Sequence, residues 1–251
     1  LAEAGIDASY LVMDEQVPTT LAFVQTLPGG DRDFSFYRKP GADMMLTEEE
    51  LPLEVLKQAR IFHFGTLSMT DQGVRAASVK AVETAKEGGA WISFDPNLRP
   101  PLWDNLEDAR SAIAWGLSQC DILKIADNEL LFMTGEEDFY RGADSLRRQY
   151  PNLQVLNVTA GADGSYSFYG ADEPVFVPAC QLGGVVETTG AGDTFCASVL
   201  NYLLEHGIAG LSRAEREEML RFANTAAYLV TTRKGAIRAM PDKEQVLNIL
   251  G

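Results

Sequence analysis

Hydrophobic residues in this chain change their spacing several times. IFHFG at 61 to 65 is a short apolar run, and it precedes a segment, 71 to 88, in which Val74, Ala77, Ser78, Ala81, Val82 and Ala85 recur at helical spacing. AWISFD at 90 to 95 leads through a Pro-rich turn to a helical pattern over roughly 106 to 117, and DILKI at 121 to 125 follows. Amphipathic stretches through Leu131 and near 140 to 149 come next, then the apolar run LQVLNVT at 153 to 159. Two long helical patterns, about 191 to 206 and 213 to 231, complete the reading. Strands alternating with helices predict a parallel sheet covered on both faces. The start of the chain differs. SYLVM, TTLAFVQT and DFSFYR, within residues 8 to 38, are β-type runs with no helix between them, and Pro28, Gly29, Gly30 and Asp31 form a turn signal. They predict a small antiparallel sheet, a lid over 8–38 beside an α/β domain over 39–251.

Composition narrows the possibilities. A chain of 251 residues, 46 % hydrophobic, is long enough for a substantial core. No apolar run approaches the roughly 18 residues of a membrane span and no secretory leader pattern is visible, so the chain reads as soluble and cytoplasmic, with no membrane partner. Cys120, Cys180 and Cys196 are widely spaced with no histidine at ligand distance, which predicts three buried thiols rather than disulfides or a zinc site. The formal charge of -15 would repel a phosphate backbone, so nucleic acid is excluded as a partner. An anionic ligand would need a positive field made locally.

Several segments offer that field. Glu187-Thr188-Thr189-Gly190-Ala191-Gly192-Asp193 runs directly into a helical pattern, and a Gly-rich turn at a helix N-terminus aims several amides at one point. Asp193 in the first helical turn is either a proton acceptor for a hydroxyl beside that point or a simple helix cap. Thr159-Ala160-Gly161-Ala162-Asp163-Gly164 follows an apolar strand; it reads as a phosphate or ribose loop, or as a turn between two strands. Lys124 at a strand end, with Glu129 five residues on, suits phosphate and magnesium contacts, or is a pair of surface charges. Arg99, past a strand in DPNLRPPLW, can stabilise charge on a transferred group or form a loop salt bridge. Phe36 and Arg38 lie at the end of the lid region. His63, flanked by Phe62 and Phe64, reads as a buried structural residue, and His206 as a surface one.

In this order and spacing these residues resemble the PfkB family of carbohydrate kinases. The likeness implies a ribokinase-like α/β fold with a β lid, ATP and magnesium as cofactors, and a sugar as acceptor. It casts Asp193 as catalytic base, Gly190, Ala191 and Gly192 as the anion hole, and Arg99 as a stabiliser of the transferring phosphoryl group. It assigns Lys124, Glu129, Thr159, Gly161, Gly164, Gly192 and Asn224 to the nucleotide. Glu129 matches the acidic end of the family's N-x-x-E element, with Ala126 in place of the asparagine. Potassium is implied behind the anion hole, near Glu187, Thr189 and Gly235, with Glu187 where the family has Asp. FYRKPGAD, FHFGTLSMT and DPNLRPPLW are most similar to fructokinases, which implies fructose as the sugar and Phe36, Arg38 and Gly65 as its contacts. The alternatives are 2-keto-3-deoxygluconate, a nucleoside, or a silent sugar- or nucleotide-binding protein. Paired lids in a homodimer are implied too. The family's opening strand and sugar-gripping segment have no counterpart, so a truncated N-terminus is expected.

Overall fold

The structure is a computed structural model that describes residues 1–26 and 32–251. The Pro28 to Asp31 turn signal lies outside the described residues. The chain divides into two compact units, Leu1–Cys120 and Asp121–Gly251.

In the first unit, β1 (Leu21–Thr26) and β2 (Arg32–Tyr37) pair antiparallel, with Leu21 opposite Tyr37. The third run expected there, SYLVM, is not a strand. Asp7 and Asp14 explain why: their carboxylates accept amide hydrogens from Ser9 at 2.9 Å and from Gln16 and Val17 at 2.7 and 2.9 Å, which bends the backbone on both sides into local turns. After the single-turn helix α1 (Leu53–Leu56), β3 (Ile61–Gly65) pairs parallel with β4 (Trp91–Asp95), as the alternation of apolar runs and helices predicts. Between and after them lie α2 (Gln72–Glu87), capped by Asp71, and α3 (Leu106–Gln119), capped by Asn105. Phe64 packs 4.7 Å from Phe94 and 5.7 Å from Trp115, ring centre to ring centre. Gly116 of α3 is needed there, because a Cβ would stand 2.4 Å from the Phe94 ring.

His63 corrects the reading from its neighbours. Strand alternation turns it to the face opposite Phe62 and Phe64, so it is exposed, with Nδ1 2.9 Å from the hydroxyl of buried Ser93. His206 is exposed as expected.

In the second unit, β5 (Ile122–Ala126), β6 (Val155–Thr159), β7 (Gly164–Tyr169) and β8 (Val175–Pro178) adjoin in that order. The β5–β6 pair is parallel, but β6–β7 and β7–β8 are antiparallel, so the sheet is mixed where alternation alone suggested parallel strands. The reason is length: the turn from Thr159 to Gly164 is too short to hold a crossover helix. The helices α4 (Asp127–Thr134) and α5 (Phe139–Gln149) cover one face, where Phe139 and Tyr140 meet the Tyr166 ring at 5.2 and 5.7 Å. The long pair α6 (Ala191–His206) and α7 (Arg213–Thr231) packs together and covers the other, and α8 (Lys243–Leu250), capped by Asp242, was not foreseen from periodicity. Arg216 of α7 is 1 % exposed and donates to the Asp172 carboxylate at 3.0 Å and the Glu173 carbonyl at 3.2 Å, which ties α7 to the β7–β8 turn. Cys120 and Cys196 are buried; Cys180 is only half-buried, a departure from the expectation of three buried thiols.

Candidate functional site

The turn before α6 is built as its glycines suggest. Gly190 has φ of 79°, in the left-handed region that side chains disfavour, and it occupies the N-cap position. Its carbonyl accepts the Thr194 amide at 2.8 Å, while the Ala191 amide reaches back to Thr188 O at 3.3 Å. First-turn amides of a helix face outward, so those of Gly192 and Asp193 are available to an anion. Lys124 arrives from the middle of β5, not from a strand end as its sequence position suggested. A Cβ on Gly192 would lie 3.2 Å from its Nζ, so a buried ammonium, 7 % exposed as a residue, stands beside the amide turn. Together they make a local positive field on a strongly negative chain.

Asp193 is the deciding residue. It sits three positions beyond the N-cap, is exposed, and its carboxylate makes no hydrogen bond or ion pair among the described residues. Gly190, not Asp193, holds the N-cap position.

The remaining second-unit residues divide into exposed and engaged. Thr159 is half-buried at the end of β6, and Gly161 and Gly164 close a turn in which the Ala160 amide donates to Gly164 O at 2.9 Å. Gly164 has φ of 130°, and a Cβ there would strike the Val177 carbonyl at 2.2 Å, so the turn is both a strand connection and a place that only glycine fills. Glu129 is buried, and one of its oxygens accepts the Ala126 amide at 2.8 Å, capping α4. Asn224 is 8 % exposed and fully engaged: it accepts from Ser165 Oγ at 2.9 Å and donates to Val177 O and Pro178 O at 3.0 and 3.1 Å. Its side chain ties α7 to β7 and β8. Glu187 reaches the 232–236 loop, accepting the Gly235 amide at 2.8 Å, and Thr189 is half-buried nearby in sequence.

In the first unit, Arg38 is 7 % exposed and donates to Asp43 at 2.7 Å, Thr70 Oγ1 at 2.7 Å and Leu67 O at 2.8 Å. Burial pushes the Asp43 carboxyl upward, but hydrogen bonds from Arg38 and Thr20 outweigh it and hold the group below the usual carboxylate range. Phe36 is half-buried on β2. Gly65 ends β3 so close to its partner strand that a Cβ would lie 2.8 Å from Asp95 O. Arg99 is half-buried after β4, with Nη1 3.2 Å from its neighbour's carbonyl at Leu98.

A family model described as pfkB family carbohydrate kinase matches residues 1–243. The chain belongs to that family. It is 39 % identical over all of its length to the probable fructokinase-3 of Arabidopsis thaliana, covering 72 % of that protein, and 37 % identical to fructokinase-1 of Oryza sativa subsp. japonica, covering 76 % of it. Among solved structures it is similar to the ATP-bound fructokinase of Xylella fastidiosa, with a TM-score of 0.88 at 31 % identity over 99 % of this chain and 78 % of that one. The fructokinase of Vibrio cholerae O395 in its fructose-, ADP- and calcium-bound form gives 0.89 at 26 % identity, covering 100 % of this chain and 79 % of that one. The ribokinase-like fold class read from the sequence, with its small two-stranded antiparallel sheet, is thereby borne out. Among the described residues no helix is long and apolar enough to cross a membrane, and no group of three or more His, Cys, Asp or Glu side chains stands ready for a metal ion.

Among the buried polar residues that escaped the sequence reading are Asn157 and Ser167, each 0 % exposed. The signal was present: Asn157 interrupts the apolar run LQVLNVT at the same alternation as Lys124 in DILKI.

Proposed function

We propose that the chain phosphorylates fructose with ATP, most simply at the primary hydroxyl that yields fructose 6-phosphate, and that Asp193 is the base. The observation that carries this is the unengaged Asp193 carboxylate on the first turn of α6, next to amides and a lysine that suit a phosphate. In phosphoryl transfer the protein mainly positions and neutralises. Gly190, Ala191 and Gly192 hold the anion-hole turn in place; the amides and Lys124 offset charge on the phosphate oxygens; Asp193 accepts the hydroxyl proton. Arg99 serves the transferring group, Phe36, Arg38 and Gly65 shape the sugar side, and Thr159, Gly161 and Gly164 face the nucleotide. Asn224 supports that wall by holding α7 to β8 rather than by reading a base.

Magnesium suits the donor set as a phosphate-bound ion, since magnesium usually takes one or two carboxylates plus phosphates and water. Glu129 would contribute through water, because one of its oxygens already caps α4. When bound, the ion neutralises phosphate charge. Glu187 joins the anion-hole strand to the 232–236 loop, and carbonyls there, with Thr189, would hold potassium. The exposed edges of β1 and β2 suit pairing of two lids in a homodimer, with Phe23 and Tyr37 61 % and 62 % exposed. Free thiols are in keeping with the cytoplasm.

A coupled ADP-release assay with magnesium ATP and a panel of fructose, ribose, glucose, 2-keto-3-deoxygluconate and adenosine tests the reading. Turnover led by fructose, rising with added potassium, is expected. ATP binding without turnover on any of them would point instead to a silent binding protein.

A further inference from the structure

Lys124 on β5, Asn157 on β6 and Ser167 on β7 are register partners across three adjacent strands, so their side chains line one row on one face of the sheet. That face is the one beneath α6 and α7: Lys124 Nζ reaches the Gly192 turn, and Ser165, two residues from Ser167, bonds to Asn224 of α7. Asn157 and Ser167 are 0 % exposed. Yet both polar atoms of the Asn157 carboxamide and the Ser167 hydroxyl have no hydrogen-bond partner among the described residues. The next row along the strands, Thr159 and Ser165, shows the contrast, for Ser165 is satisfied by Asn224.

Unpaired polar atoms at such depth cost stability, and an apolar side chain of the same shape would serve packing alone at least as well. A site with several convergent polar groups is where a protein holds buried water, each molecule taking two to four partners. The ammonium of Lys124 has three donors and no acceptor, whereas the Asn157 carbonyl and the Ser167 oxygen accept, so water passes hydrogen bonds along the row in one direction.

We propose that Asn157 and Ser167 are positioning residues for Lys124: they hold ordered water under α6 and α7 that fixes the ammonium beside the Gly192 amides. They touch neither sugar nor nucleotide. The inference rests on the kinase reading for the identity of the anion that Lys124 meets, and it adds two residues to the machinery of that site.

The test is a double-mutant cycle read by calorimetric ATP affinity and by melting temperature. Asn157→Leu should melt at or above the wild-type temperature and yet bind ATP about 3- to 10-fold more weakly, a size ordinary for coupled neighbours. The loss should vanish in a Lys124→Met background, and Asn157→Ser, which puts a hydroxyl in place of the carboxamide, should recover most of the affinity. Ser167→Ala removes a single oxygen and carries the same cycle if Asn157→Leu does not fold. ATP affinity within twofold of wild type in both variants, or a loss of equal size without Lys124, would overturn the proposal. Wild-type protein that bound no ATP would overturn the kinase reading and this inference with it.

Discussion

Arg38 and Asp193 are both charged residues assigned to the reaction by family likeness, and the fold treats them in opposite ways. The guanidinium of Arg38 is buried and engaged with a carboxylate, a hydroxyl and a carbonyl, so it acts first on its own surroundings, holding the segment after β2 to Leu67 and Thr70. Asp193 is exposed, has no partner among the described residues, and stands in a turn shaped by Gly190. A side chain that the fold does not use is available for chemistry; one that the fold uses fully can shape a site without touching the substrate.

The sharpest way to break that contrast is Asp193→Asn. Turnover should fall about 10²- to 10⁴-fold, the usual worth of a general base, while the melting temperature stays at the wild-type value because no side-chain bond among the described residues is lost. A clear drop in melting temperature would show that Asp193 has a structural task after all. Arg38→Met should do the reverse, lowering stability by about 2 kcal/mol, a figure set below that for a fully buried broken pair because the Asp43 side chain is 46 % exposed. Arg38→Lys should rescue little of it, since one ammonium cannot reach three divergent partners as a planar fork does. Denaturant titration of both variants, alongside their KM for fructose, decides the matter: unchanged stability with a raised KM would make Arg38 a direct sugar contact. Gly190→Ala tests the turn itself. Forcing a side chain into the left-handed region costs about 1 to 2 kcal/mol, and weakened ATP binding should accompany the loss in stability. The smallest effect is acid dependence. Asp43 is held below its ordinary value of 3.8, so its contribution is fully present above that pH and fades as the pH falls through the lower folded value. The melting-temperature gap between wild type and Asp43→Asn should therefore narrow below pH 3.8, and a constant gap would mean the pair does not titrate with folding.

Much of this was legible beforehand because local rules and tertiary structure agree. The helical spacing of Val74, Ala77, Ala81 and Ala85 became the buried stripe of α2, and the Gly-rich turn at 190–192 became the N-terminus of α6. What was not legible depends on partners distant in sequence. SYLVM has strand composition, yet adjacent aspartates turn its flanks into local hydrogen bonds. The antiparallel course of β7 follows from the brevity of the Thr159 to Gly164 turn rather than from any strand's own residues. Asn224 looked like a ligand contact in sequence, and only the positions of Ser165, Val177 and Pro178 reveal its engagement within the fold. Asn157 and Ser167 lie ten residues apart, and only the hairpin register sets them side by side.

The Arg216 tie has a consequence for the order of assembly. A guanidinium cannot be desolvated cheaply before its carboxylate is in place, so α7 docks only once the turn at Asp172 and Glu173 has formed. During refolding, amide protons in β7 and β8 should resist exchange before those at the centre of α7 do, and removing the Asp172 carboxylate should delay the helix while leaving the hairpin's timing unchanged.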